Sequence, residues 1–405
     1  MMGRVALSMT IVRKTWLQLP IDNFNLAISR LRVFRARMGR EPIQDAVKAW
    51  LGCIDDPRRQ ETLVRAAPRR FTVYEPMVLL PAGSFGCEAW VEELRRRREE
   101  VDLLWLNILR EVGAMRRGKA AATKLTHLAV NEAIPRRCGP LGEDNNLRAP
   151  VGLRMLFGDF GPDERVDFDA ALWVSTKQNG IVQIWAPRWT MFSRGNVKEK
   201  ARLLRFPSHP SGEEEETCWA IDLYAGIGYF AFSFVALGMR VLCWEINEWS
   251  VEGLRRGAHA NGWSVRVVEG LESGLAPAEL LAGGEDIIVF QESNEVALPR
   301  IRKWQSMGLV RRVEHVNCGY LPTSEPTWLS AWEMTCLNHD SWLHLHENVG
   351  VDDIEARRRS VQRLVDDWSA SEGRDRTSLV EHVELVKTFA PGVWHCVFDV
   401  HVAHD

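Results

Sequence analysis

None of the eight cysteines (Cys53, Cys87, Cys138, Cys218, Cys243, Cys318, Cys336, Cys396) falls in a C-x-x-C pair, so the chain offers neither a zinc ribbon nor a redox dithiol. Scattered thiols of this kind read as reduced, not as a disulfide frame. Apolar runs of the roughly 18–20 residues needed for a membrane span are missing too. Residues 1–15 are partly apolar but lack a signal-peptide layout, and the expected location is cytoplasmic. Net charge is small, −3 over 405 residues, a length that suggests two or three domains. The near-balance hides an asymmetry. Residues 1–150 hold 26 Lys+Arg against 17 Asp+Glu, and the rest hold 25 against 37. A basic first part beside an acidic remainder is consistent with a polyanion contacting the N-terminal region.

The informative stretch is 218–245, CWAIDLYAGIGYFAFSFVALGMRVLCWE. An apolar strand at 218–223 leads through Ala225-Gly226-Ile227-Gly228 into a helical run at 229–237, which Gly238 stops. A second strand, 240–244, ends on Glu245. Strand, glycine turn, helix, strand and terminal acid make a nucleotide-binding βαβ unit. Gly226 and Gly228 admit backbone angles that a side chain would penalise, and let the chain pass close to a ligand. Glu245 follows Gly226 by 19 positions, near the spacing of an acid that accepts bonds from ribose hydroxyls. The spacing admits adenosine and does not say which adenosine; by spacing alone NAD stays open.

Asp222–Phe230, DLYAGIGYF, resembles the S-adenosylmethionine loop of the tRNA guanine-N1 methyltransferases and, more closely, of the wybutosine-synthesis aminocarboxypropyltransferases. Three further segments resemble the same family: Phe192–Lys200 (FSRGNVKEK), Leu321–Ser324 (LPTS) and Lys387–Val400 (the pattern K-x-x-A-P-G-V-x-H-x-V-x-D-V). The Asn/Asp-Pro-Pro-aromatic motif of amino-methylating enzymes is absent. The resemblance implies a class I methyltransferase-like Rossmann domain, mostly parallel with a C-terminal antiparallel hairpin, preceded by an α+β region. It implies transfer of the 3-amino-3-carboxypropyl group of S-adenosylmethionine to carbon 7 of 4-demethylwyosine, beside the anticodon of phenylalanine tRNA, with methylthioadenosine released and no metal or obligate protein partner. A guanine-N1 methyltransferase or an inactive tRNA-binding relative are the alternatives. Carried over, Ser193 and Lys200 reach the methionine part, Asp222, Gly226 and Gly228 form the adenosine turn, and Glu245 holds the ribose. Relatives usually carry Gly-Asp-Asn after the third strand; here Gly270-Leu271-Glu272 leaves Glu272 as the acid for adenine. No residue identifies itself as the base that takes the ring proton.

The remainder is read by periodicity. Residues 24–38 and 46–54 suggest helices, the first rich in arginine, and 88–112 suggests one long amphipathic helix with Trp90, Leu94, Leu103, Leu104, Leu106 and Leu109 on its buried face. Arg95–Arg98 spans a whole turn and reads as solvated. Asn179-Gly180 signals a hairpin, with 182–185 opposite 172–175. By chemistry alone Asn196 caps a helix that carries Lys198, Glu199 and Lys200. Residues 208–216 form a polar insertion. Strands at 265–268, 286–291 and 312–316, alternating with helices at 295–307 and 327–337, imply a mostly parallel sheet. His344 and His346 share one face of a strand and read as packed residues. The expected division is 1–150, a basic region contacting tRNA; 151–205, a small β-rich segment bearing the Ser193 element; and 206–405, the S-adenosylmethionine domain.

Overall fold

The computed structural model describes residues 41–52, 56–116, 123–132, 137–138, 143–145, 147, 150–164, 167–208, 216–335, 339–372 and 376–404. The expected helix at 24–38 and most of the polar insertion lie outside them. The chain falls into two compact units, Met1–Phe71 with Gly83–Leu125, and Thr72–Ala82 with Thr126–Asp405.

In its described residues the first unit is helical: Pro42–Leu51, Pro57–Ala66, Glu88–Arg96 and Val101–Ala114. Asp56 caps the second helix by accepting from the amides of Arg58 and Arg59. Trp50, Phe85, Trp90 and Trp105 form its aromatic centre, with Phe85 edge-on to Trp90 at 4.7 Å. The long helix expected at 88–112 is broken. Arg97 leaves helical geometry (φ −107°, ψ 36°), and its guanidinium donates to the Trp50 carbonyl at 2.8 Å while lying 4.7 Å over the Trp50 ring. Buried Glu93 draws in Arg59 at 2.7 Å and Arg97 at 3.7 Å. Arg97 is therefore a packing residue, not a solvated charge. The break also rotates the second half: Leu104, Trp105, Ile108 and Leu109 are buried, whereas Leu103 and Leu106 are 54% and 49% exposed.

The second unit is built on an eight-stranded sheet, in the order Val265–Val268, Ile287–Phe290, Arg240–Trp244, Cys218–Asp222, Arg312–Cys318, Ser341–Gly350, Val393–His404, Arg376–Ala390. The first six strands pair in parallel, and the last two form an antiparallel hairpin closing against Ser341–Gly350. Strands buried on both faces explain the continuous apolar runs IIVF and CWAI, which show no alternation. Residue 265–268 is third in sequence but sits at the sheet edge, because Ile287–Phe290 comes between it and Arg240–Trp244. Among the described residues, a four-stranded sheet (Thr72–Tyr74, Met77–Leu80, His127–Val130, Arg154–Phe157) and a hairpin, Val174–Gln178 with Ile181–Trp185, complete the unit's β-structure besides one short two-stranded pair. Asn179 and Gly180 take φ of 52° and 85°, as the two-residue turn requires, and so pair Val174 with Trp185, two positions later than expected.

A buried ionic chain ties the hairpin to the rest. Asp399 accepts from His344 Nδ1 at 2.7 Å and from Arg202 Nη2 at 3.0 Å, and Arg202 also holds Glu199 at 2.6 Å. Burial alone would raise the Asp399 carboxyl; His344 and Arg202 outweigh it and hold it below its usual range. A depressed carboxyl stabilises the fold above its unfolded pKa, about 3.9, and that contribution disappears as pH falls below it. Asp399→Asn should therefore cost about 3 kcal/mol at pH 7, the low end for an opened buried pair because Glu199 still faces Arg202. Urea unfolding should show the loss, and the variant's stability should fall less steeply below pH 4 than the parent's.

Candidate functional site

The glycine turn forms as its residue types dictate. Gly226 and Gly228 have φ of 54° and 83°, and a Cβ on either would meet the Tyr229 ring at 2.7 Å or the Phe232 ring at 2.5 Å. Glu245 closes over the turn. Its Oε2 accepts from the Gly226 amide and its Oε1 from the Asn247 amide, both at 2.8 Å. Burial raises this carboxyl, and the two amides and the Ile246 amide oppose the rise. Three amides on four lone-pair sites leave the carboxylate room for a ligand hydroxyl. Asn247 in turn caps the helix Glu248–Ala260 by accepting from the Trp249 amide.

This turn opens into a cavity of about 910 Å³, whose wall includes Gly226, Glu245, Ile246, Glu292, Asn294 and Tyr320. The same wall carries a cation. Ser193 Oγ donates to Asn196 Oδ1 at 3.1 Å and accepts from Lys387 Nζ at 2.6 Å; both Ser193 and Lys387 line the cavity. Lys387 fits because residue 195 is glycine: a Cβ there would stand 2.3 Å from Lys387 Cδ. Asn196 does not cap the helix Val197–Leu203; its side chain is spent on Ser193. Tyr229 braces the same segment, accepting from the Ser193 amide at 3.3 Å and donating to the Met191 carbonyl.

Of the residues singled out in the sequence, Ser193, Gly226 and Glu245 meet at this cavity; Lys200, Asp222, Gly228 and Glu272 are not in its wall. Lys200 is 4% exposed and donates to Gln178 at 2.9 Å and to Gln183. Its ammonium lies 5.1 Å from the Phe192 ring and 5.5 Å from the Tyr229 ring, so it stands behind the aromatic wall. Burial and the charge of Lys387 bring its pKa down to about 7. Asp222 is fully buried, accepting from the Tyr224 amide at 3.2 Å and from Asn317 Nδ2 at 2.9 Å; burial pushes its carboxyl up to about 6. Glu272 faces Arg266 at 3.4 Å, below the edge strand.

Two residues to which sequence reasoning gave no role line the cavity. The cation beside Ser193 is Lys387, first residue of the C-terminal motif, brought from 194 positions away by the hairpin. The acid at the exit of the strand adjacent to Arg240–Trp244 is Glu292, not Glu272, because the intervening strand is Ile287–Phe290. Glu292 is held by Arg300 at 2.7 Å and by Trp244 Nε1 at 3.3 Å, and Asn294 donates to the Leu223 carbonyl at 2.8 Å. The alignment of ligand sites with the carboxyl ends of parallel strands was the signal for both Glu292 and Asn294. In the LPTS segment Leu321 and Pro322 line the cavity, while buried Ser324 donates to the His346 carbonyl at 2.8 Å and accepts from Trp328 Nε1. His344 and His346 are both packed, the latter against Asn317 Oδ1 at 3.1 Å and His395 Nε2 at 2.9 Å.

A cavity whose wall holds an acid, a glycine turn and a hydroxyl–ammonium pair suits a nucleoside bearing a carboxylate tail. No family model matches the chain. It is 40% identical to tRNA wybutosine-synthesizing protein 2 of Schizosaccharomyces pombe, across 82% of this chain and 72% of that protein. It is 33% identical to the Saccharomyces cerevisiae protein of the same name, across 89% and 80%. Among solved structures, TYW2 of Pyrococcus horikoshii in complex with MeSAdo matches with a TM-score of 0.55 at 15% identity, covering 89% of this chain and 98% of that one. Trm5b of Pyrococcus abyssi matches at 0.51 and 12% identity, covering 87% and 79%. The structural likenesses carry the fold, a class I methyltransferase-like α/β sheet with a C-terminal antiparallel hairpin; the sequence identities carry more. The chain belongs to the tRNA wybutosine-synthesizing protein 2 family.

Proposed function

We propose that this protein transfers the 3-amino-3-carboxypropyl group of S-adenosylmethionine to carbon 7 of 4-demethylwyosine in phenylalanine tRNA, releasing methylthioadenosine. The observation that carries the reading is the cavity of a family member whose one wall brings together Glu245, the Gly226 turn, Ser193 and Lys387. The donor's sulfonium activates three carbons, and the one that transfers is the one held in line with the nucleophile. Glu245 accepts from the ribose hydroxyls. Glu292 and Asn294 border the adenine, with Ile246 packed on its face. Ser193 and Lys387 take the α-carboxylate, and Lys200 supports them through the Phe192–Tyr229 wall. Fixing the carboxylate holds the methionine chain so that its γ-carbon, not its methyl group, faces the base. Asp222 and Gly228 act from behind the turn, which they shape. The excess positive charge of residues 1–150 serves tRNA binding, residues 151–205 contribute the Ser193 element, and 206–405 carry the donor site.

Incubation with S-adenosylmethionine and phenylalanine tRNA from cells lacking this step should yield methylthioadenosine and carboxyl-labelled tRNA. S-adenosylhomocysteine with methyl-labelled tRNA would replace the reading with a methyltransferase, and tRNA binding without turnover would leave a binding protein. Lys387→Met should lower transfer about 10²-fold, equivalent to about 2.7 kcal/mol. Methylthioadenosine, which has no carboxylate, should inhibit variant and parent alike. Calorimetry should find Glu245→Ala weaker for S-adenosylmethionine by about 2–4 kcal/mol, since charge-assisted bonds contribute about 1.5–3 kcal/mol each. Binding of tRNA should weaken steeply with salt through counterion release, and reversing arginines within 1–150 should flatten that slope.

A further inference from the structure

The aminocarboxypropyl reading, on which this inference rests, brings a large flat base to the cavity, and that base needs a surface to lie on. Aromatic side chains are the usual platform for a base taken out of its stack, because every base has a π-face. The cavity wall holds several rings, and their neighbours separate them. Phe230 and Trp244 are buried, Phe192 stacks on Trp185 at 4.2 Å, and the Tyr229 hydroxyl donates to the Met191 carbonyl. Tyr320 has one face covered by Tyr224 at 5.1 Å. Phe389 is different. It is 50% exposed, and among the described residues no ring stacks on it.

An irregularity places Phe389 there. Thr388 pairs with Trp394 and Ala390 with Val393, so Phe389 is the extra residue of a β-bulge, a device that re-aims a side chain. It stands two positions from Lys387, whose ammonium donates to Ser193. Arg194 directly follows that serine, lines the same cavity and is exposed. Its Nη1 donates to Thr72 Oγ1 at 3.0 Å, and among the described residues no carboxylate pairs with it. Exposed apolar side chains are ordinary when scattered. Here Phe389, Ile246 and Leu147 are all exposed and line one cavity, as the wall of a groove for a flat ligand would.

We infer that Phe389 is the stacking platform for the tRNA base, and that Arg194 takes a phosphate of the same nucleotide. Stacking sets the plane of the base but not its position in that plane; a charge-assisted bond to the backbone phosphate supplies the second constraint. A fused tricycle covers more of a phenyl ring than guanine does, so the platform favours the modified base. One strand then carries both grips. Lys387 holds the donor's carboxylate and Phe389 holds the acceptor, so their separation is set by the strand itself.

The test measures binding of two phenylalanine tRNAs to the full chain without donor, one bearing the tricyclic base and one bearing guanosine at the same position. The parent should bind the first about tenfold more tightly. Phe389→Ala and Phe389→Leu should each bring that ratio within twofold of unity, whereas Phe389→Trp should keep it. All three should bind S-adenosylmethionine within threefold of the parent. A merely structural role would weaken both tRNAs or the donor, and would not tell leucine from tryptophan. Arg194→Met should weaken both tRNAs equally and reduce the salt slope of log affinity by about 0.7–0.9. A parent without preference, a ratio that survives Phe389→Ala, or a ratio lost instead in Tyr320→Leu would overturn the platform. An unchanged salt slope in Arg194→Met would overturn the phosphate contact. Products decide the underlying reading separately: S-adenosylhomocysteine from the parent would refute the transfer, whatever the two affinities are.

Discussion

Asp222 is a carboxylate with no exposure, set at the carboxyl end of the strand that feeds the glycine turn. An isolated charge there would cost several kcal/mol, so its partners are obligatory. Those partners are the Tyr224 amide, which starts the turn, and Asn317, on the neighbouring strand. One buried oxygen thus fixes the approach to the cofactor turn and the orientation of an amide whose other end governs two histidines. Local geometry of the turn and the packing of the histidines behind it are consequences of the same constraint.

Much of this was legible in the residues. Gly226, Gly228 and Glu245 declare themselves by type and spacing, and Asn179-Gly180 fixes a hairpin, because few residues tolerate those backbone angles. What escaped depended on tertiary placement. The run around 88–112 is amphipathic throughout, and only the carbonyl of Trp50 and the burial of Glu93 break it at Arg97. Counting strands by sequence put the adenine acid at Glu272; the sheet is ordered otherwise, and the acid that follows the strand beside Arg240–Trp244 is Glu292.

The two lysines make the same point more sharply. Lys200 lies close in sequence to Ser193, but the Val197–Leu203 helix turns it into the interior, where two glutamine carbonyls and two rings receive it. Lys387 is remote in sequence and adjacent in space. No periodicity relates it to Ser193; a hairpin register and a missing Cβ at Gly195 do.

That missing Cβ has a consequence for how the cavity tolerates change. Lys387 and His395 are register partners across the hairpin, of which only Val393–His404 pairs with Ser341–Gly350. A slip of one residue in that register would withdraw the ammonium from Ser193 without touching the loop that carries the serine. The polar part of the wall is thus held in place by strand pairing, and a surface change that loosens the hairpin would be felt inside the cavity.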